Sequence, residues 1–353
     1  MKHYIGCDAH KKYSIFVSMN ESGKAGKAER VEHDRGLYRR YLNCLPSGSP
    51  IAVESVGNWY WMIDEMEKAG HQPILVNAGK AKLLMGHINK TDKLDARGLA
   101  LLNLNGSLPA VWIPPAGLRD QRELSRMRMA LAQMRTQIKN RIHAILAKYA
   151  ISLDDQVSDI FGKKGRLLLT KAVDALPPET QRSLQEQLKL LDELMEQLER
   201  IEGHIHQVVE ETAEMRLLKS LPGVGDILAI VIALEIGSVE RFFNANKLAS
   251  YSGTVPRVNS SGGKTYYGRV RPDVNRYLKW AFIEAANCVS LHQKRLEGTH
   301  VVNLLRRIQQ HKGHPKAMSA VARHLAESAY IMLKYKSPYH EPWIRKTVSS
   351  NQG

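Results

Sequence analysis

The chain has 353 residues, enough for two or three domains that each bury their own core. Its composition, 43% hydrophobic and 24% charged, is that of an ordinary soluble protein, and three scattered cysteines (Cys7, Cys44, Cys288) exclude a zinc ribbon and a disulfide framework. Lys and Arg outnumber Asp and Glu 51 to 35, a formal charge of +16, which points to a polyanionic partner, nucleic acid first, or to a merely basic surface.

The N-terminal MKHYIGCDAHKK lacks the apolar core of a signal peptide, so a cytoplasmic protein is expected. Residues 4–8 read as a short buried strand and residues 13–19 (YSIFVSM) as a second, joined by a turn at AHKK. PIAVE (50–54) is another strand, residues 59–69 have helical periodicity, and PILV (73–76) is a further strand. A helix is predicted over 91–104, with Thr91 as its N-cap. Two early antiparallel strands followed by strand–helix units predict an α/β domain of RNase H-like type over residues 1–110. Pro109, Pro114 and Pro115 mark a linker near 106–117. Leu124, Met127, Leu131, Met134, Ile138, Ile142 and Ile145 then form a helical seam, and a second runs from Leu184 to Val208. These seams predict a helical, coiled-coil middle over 117–210, pairing as a hairpin within the chain or with another subunit. Eight basic and two acidic residues lie between Leu118 and Lys148, with Arg126 and Arg135 as candidate nucleic-acid contacts. The last region, 215–340, is predicted to be mostly helical. It opens with LPGVG (221–225) and an apolar helix whose run Ile227–Ile236 is too short to span a bilayer and contains Glu235, so no membrane partner is expected. A glycine-containing loop is predicted from Ser252 to Gly268, with helices near 274–291, 301–310 and 317–334 after it.

Four acids stand out by context. Asp8 and Glu54 each end a buried strand, while Asp92 and Asp95, three apart in KTDKLDAR, share a helix face. Carboxylates so placed suit Mg²⁺ and a two-metal phosphoryl-transfer site. Taken singly, each also reads as a turn residue or a helix-start acid. Lys90 and Arg97 flank the pair, either neutralising it or touching phosphate. In YSGTVPRVNSSGGK (251–264), a serine beside two glycines can approach a backbone phosphate, with Arg257 and Lys264 to hold it; such a segment is also simply a flexible loop. Gly223 and Gly225 frame a turn that offers backbone N–H groups to phosphate in the manner of a helix-hairpin-helix. From Lys264 to Arg323 there are twelve basic residues and three acidic ones. Arg269, Arg271, Arg276 and Lys279 are interleaved with Tyr266, Tyr267, Tyr277 and Trp280, residues suited either to nucleic acid or to packing.

The blocks IGCDAHKK, AVESVGNWY, NKTDKLDARGLA, LPGVG and YSGTVPRVNSSGG resemble, in order, those of the DEDD transposases of the insertion-sequence 110 family, a pattern shared by Piv-type DNA inversases. The resemblance runs from about Tyr4 to Leu333. It implies a RuvC-like N-terminal domain, a coiled-coil middle and a C-terminal transposase domain, with the four acids at Asp8, Glu54, Asp92 and Asp95 holding Mg²⁺. It puts the nucleophilic serine at Ser261, with Ser260 as the adjacent competitor. It also implies donor and target DNA as substrates, a structured non-coding bridge RNA as guide, and a homodimer or homotetramer. A metal-dependent nuclease or resolvase that uses water, and a DNA inversase, are the alternatives.

Overall fold

Strand β1 (His3–Ala9) occupies the centre of a six-stranded sheet. It pairs antiparallel with β2 (Tyr13–Asn20), which pairs antiparallel with β3 (Glu29–Glu32). On its other side lie β4 (Pro50–Glu54) and then β5 (Gln72–Val76), both in parallel register, and a two-residue antiparallel edge, β6 (Ala110–Val111). The order is β3-β2-β1-β4-β5-β6. This computed structural model describes residues 2–86, 91–153, 155–271 and 273–341, and the chain divides into two compact units, Met1–Pro114 and Pro115–Gly353. Strand and helix positions follow the sequence reading at β1, β2, β4 and β5. Helices α1 (Arg35–Cys44) and α3 (Ala78–Met85) and strands β3 and β6 are additions, the last within the segment read as linker.

The two-residue alternation of a strand decides what each face of the sheet meets. Ile5, Cys7, Phe16 and Val53 pack on one face against Tyr38 and Leu42 of α1 and Met62, Ile63 and Met66 of α2 (Trp59–Lys68). The other face carries Ile15, Val17 and Ala52, packed against Ala96, Leu99 and Leu102 of α4 (Asp92–Leu104). Gly6 lets α4 come this close. A Cβ at that position would sit 2.1 Å from the Ala96 carbonyl oxygen and 2.5 Å from the Ala100 nitrogen, both backbone atoms that cannot swing aside. Asn103, buried, fastens the far end of the helix by donating from Nδ2 to the carbonyls of Ile5 (3.1 Å) and Pro50 (2.9 Å), across β1 and β4. Alanine at position 6 is therefore expected to cost about 1–3 kcal/mol as an overpacked contact. If cleavage depends on the first turn of α4, the resulting shift of about an ångström lowers the rate about 10²-fold. Thermal melting and single-turnover cleavage check the two parts; wild-type values for both would show that α4 gives way without consequence.

In the second unit, α5 (Ala116–Lys148) and α7 (Pro178–Val208) share a core in which Ile138, Ile142 and Leu146 meet Leu184, Leu191 and Leu198, with Leu169 of α6 (Lys163–Val173). Met127 and Met134 of the first seam stay half exposed. Pro178 opens α7 at its first turn, where its missing N–H costs nothing. After α8 (Ala213–Leu218), helix α9 (Asp226–Ile236) is apolar on nearly every side and is buried accordingly, in a core shared with α10 (Ala245–Tyr251), α11 (Arg276–Leu291), α12 (His300–Lys312) and α13 (His314–Tyr335). Among the described residues, no helix is long and apolar enough to cross a membrane.

The segment expected as a loop, Ser252 to Gly268, is largely an antiparallel hairpin of β7 (Pro256–Ser261) and β8 (Lys264–Val270). Gly262 (φ +57°) and Gly263 (φ +75°) supply the two left-handed residues that a tight two-residue hairpin turn needs, so the same glycines that suggest flexibility close a defined turn. Helix α11 begins at Arg276 rather than near residue 274, because the Asn275 Oδ1 accepts from the N–H groups of Tyr277 and Leu278 and caps it.

Candidate active site

Parallel pairing of β1 with β4, in the register Cys7 with Val53, brings Asp8 and Glu54 to the same end of adjacent strands. Alternation from Gly6 and Ala52, which face α4, turns both carboxylates toward that helix. Thr91 caps α4, its Oγ1 accepting from the Leu94 N–H, and sets Asp92 and Asp95 in the first turn, where the helix dipole favours negative charge. The close seat over Gly6 delivers this turn to the strand ends.

The four acids fall into two overlapping groups. Asp8, Glu54 and Asp95 line one cleft, together with His10 and with Gly79 and Lys82 of α3. Asp8 and Asp92 join His10 in a second group, whose ligand atoms all lie within 4.8 Å of one another. His10 Nε2 is 3.2 Å from Asp8 Oδ2 and 3.1 Å from Asp92 Oδ2. The Tyr13 hydroxyl donates to Asp92 Oδ2 at 3.0 Å; that bond to a carboxylate raises the phenol's pKa above its ordinary value. Arg30 lies over the Tyr13 ring at 3.7 Å, and the His10 and Tyr13 rings are 4.7 Å apart. Asp8 is 6% exposed, while the Asp92 side chain is 41% exposed. Crowded carboxylates repel unless a cation shares them, and oxygen donors with one imidazole are a donor set that divalent metals accept, so the residues present fit a metal ion.

His10 is the member the sequence reading missed. It lies beyond the end of β1 in what reads as a turn, yet the period of two from Asp8 was a signal that it shares that residue's side. Behind it, Asn58 Nδ2 donates to the His10 carbonyl at 2.9 Å, and His33 bonds through Nε2 to Ser14 Oγ at 2.8 Å. Burial lowers the His33 pKa. Cys7, on the opposite face, is fully buried, which pushes its thiol up to about 12 and leaves it inert. Arg97 is exposed on α4, and Lys90 lies outside the described residues.

In the other unit, Ser261 is exposed at the last paired position before the turn, opposite Lys264, and Arg257 is exposed on the same strand. Ser260 Oγ stands 3.4 Å from Thr265 Oγ1, and neighbouring strand residues project to opposite faces, so the two serines are not equivalent. The root of the hairpin is pinned: Asn275 donates from its backbone to the Tyr251 carbonyl (2.8 Å) and from Nδ2 to Glu235 Oε2 (2.8 Å). Glu235 is fully buried on α9 and is also held by Arg126 at 2.8 Å, so its charge is compensated where an isolated one would be costly. Arg126 also stacks on Tyr277, 4.4 Å from the ring centre. Thus Arg126 is engaged inside the protein, and Arg271 pairs with Asp273. The side chains of Arg269 and Tyr267 lie outside the described ones. Arg135 lines a groove with Arg128, Gln133, Ile227 and Trp280. Gly223 (φ +80°) turns between α8 and α9 against the backbone of α11, where a Cβ would meet the Ala285 carbonyl oxygen at 2.2 Å. Gly225 caps α9 and has open space around it.

Two family models match the chain. A DEDD-type IS110 model described as "Transposase" covers residues 5–151, and one described as "Transposase IS116/IS110/IS902 family" covers residues 215–300. The chain is 28% identical over 252 residues to the "Transposase for insertion sequence element IS1328" of Yersinia enterocolitica, covering 70% of this chain and 72% of that protein. It is 25% identical over 341 residues to the "Transposase for insertion sequence element IS1111A" of Coxiella burnetii, covering 95% of this chain and 90% of that protein. It is 25% identical over 267 residues to a "Probable family 20 transposase" of Pseudomonas aeruginosa, with 72% and 74% covered.

Proposed function

Because the chain belongs to the IS110-type transposase family, whose two models together span more than half of it, we propose that it cuts and rejoins DNA through Ser261, assisted by Mg²⁺ held at Asp8, Glu54, Asp92 and Asp95. Membership itself makes it a transposase, an enzyme of DNA cleavage and transfer acting on DNA. The observation that carries the finer reading is the convergence of Asp8, Glu54 and Asp95 on one cleft, with Asp92 reaching the same Asp8. The strand order, three antiparallel strands continued by two parallel ones, supports an RNase H-like or RuvC-like reading of the first unit.

Bound Mg²⁺ supplies stabilisation of the charge that builds on the phosphate and on the leaving oxygen. The rest falls to side chains. Ser261 Oγ forms a bond to phosphorus as the bond from phosphorus to a sugar oxygen breaks, and the proton lost by the serine ends on that sugar oxygen. Rejoining reverses this. The hydroxyl of the incoming strand attacks the phosphoserine, the phosphodiester reforms and the serine recovers its proton, so no nucleotide triphosphate is needed. Lys264, exposed opposite the serine, and Arg257, exposed four residues back along the same strand, hold the phosphate. Ser261 and the acids belong to different units, so the reaction requires them to be brought together, within one chain or across a homodimer or homotetramer.

The family resemblance implies a second nucleic acid beside DNA, a structured bridge RNA that pairs with donor and target, and the net charge of +16 suits such a polyanionic load without identifying it. The test is reconstitution. Purified chain, RNA from the flank of its element, both DNA sites and Mg²⁺ should give joined recombinant strands. Nicked DNA that is never rejoined would point instead to a nuclease or resolvase that uses water.

A further inference from the structure

His10 stands between two of the four acids, Asp8 and Asp92, and is not itself among the residues that the family resemblance names. Its Nε2 lies 3.2 Å from Asp8 Oδ2 and 3.1 Å from Asp92 Oδ2, yet this buried nitrogen has no hydrogen-bond partner of acceptable geometry among the described residues. One ring nitrogen carries at most one hydrogen and cannot satisfy two carboxylates. A cation held by all three groups can, and the three ligand atoms already lie within 4.8 Å of one another. The surroundings hold the ring in place. Asn58 fixes the His10 carbonyl, the Tyr13 ring packs 4.7 Å away, and the Tyr13 hydroxyl orients Asp92 through the oxygen that faces His10.

We infer that His10 is itself a metal ligand, so that Asp8, His10 and Asp92 form a subsite of one nitrogen and two oxygen donors, which shares Asp8 and its cleft with Glu54 and Asp95. This rests on the metal-binding reading of the acids. A nitrogen donor changes which ion the subsite prefers. Mg²⁺ favours oxygen and gives up water reluctantly, whereas Mn²⁺ accepts imidazole more readily, so this subsite takes Mn²⁺ in preference to Mg²⁺.

The probe is Mn²⁺ alone, added to the purified full chain and followed by electron paramagnetic resonance. Bound Mn²⁺ should show ¹⁴N modulation in electron spin echo, converted to a ¹⁵N pattern in wild-type protein labelled with ¹⁵N-histidine, a test that needs no variant. In His10→Gln the modulation should vanish. The dissociation constant for Mn²⁺ should rise by at least the roughly tenfold that even an outer-shell ligand partner is worth, and more than that for Mg²⁺. His33→Gln, which removes the neighbouring imidazole bonded to Ser14, should keep the modulation. Mn²⁺ bound without nitrogen coupling, or bound equally well by His10→Gln, overturns the assignment and leaves the acids standing. If Mn²⁺ does not bind at all, the assignment and the metal reading beneath it fall together.

Discussion

Asparagine in place of Asp8 is expected to lower DNA strand cleavage about 10³-fold or more, equivalent to roughly 4 kcal/mol of lost transition-state stabilisation, while fold and nucleic-acid binding persist. The change is isosteric and removes one charge from a side chain that is 8% exposed. Asp8 is the acid common to both groups: it lines the cleft with His10, Glu54 and Asp95, and its carboxylate also lies within 4.8 Å of the ligand atoms of His10 and Asp92. No other of the four acids has that double position, so its loss should exceed that of Asp92→Asn, whose side chain is 41% exposed and already accepts a bond from Tyr13. Removing one carboxylate also relieves repulsion in the apo protein, so the variant should melt no lower than the wild type. Single-turnover cleavage, measured beside gel-shift binding, separates the two effects. Cleavage near the wild-type rate would remove Asp8 from the chemistry.

The parts of this molecule that were legible in sequence are those where burial writes a periodic pattern. β1, β2, β4 and β5 have buried faces that force apolar residues, and α4 carries its own cap and a buried stripe through Ala96, Leu99 and Leu102. β3 escaped because a four-residue edge strand buries only Val31. α3 escaped because it buries only Ala81 and leaves Leu83 and Leu84 in solvent, so no stripe marks it. The hairpin escaped for a similar reason. Val258 and Tyr266 are exposed, no buried face among the described side chains imposes alternation, and the turn glycines read as flexibility. Of the site, the acids could be named because each ends a patterned element, whereas His10 follows one. The engagement of Arg126 could not be read at all, since its partner Glu235 is 109 residues away and the contact exists only once α5 lies beside α9. Composition could register the excess of positive charge, but not which arginines the fold uses for itself.

The central claim, serine recombination assisted by a metal site, is tested most directly by trapping the covalent intermediate. Full-length protein is incubated with its element's flanking RNA, both DNA sites and Mg²⁺, then resolved on a denaturing gel. A DNA–protein species of retarded mobility is expected, absent in Ser261→Ala, retained in Ser260→Ala, and lost in Asp8→Asn. Ser261 is singled out because it is exposed at the tip of the hairpin beside Lys264, while Ser260 lies near Thr265 on the other face. Removing the Ser261 hydroxyl should leave binding unchanged, since Arg257 and Lys264 remain. Cleaved DNA with no protein attached, or an adduct that survives in Ser261→Ala, would contradict the account.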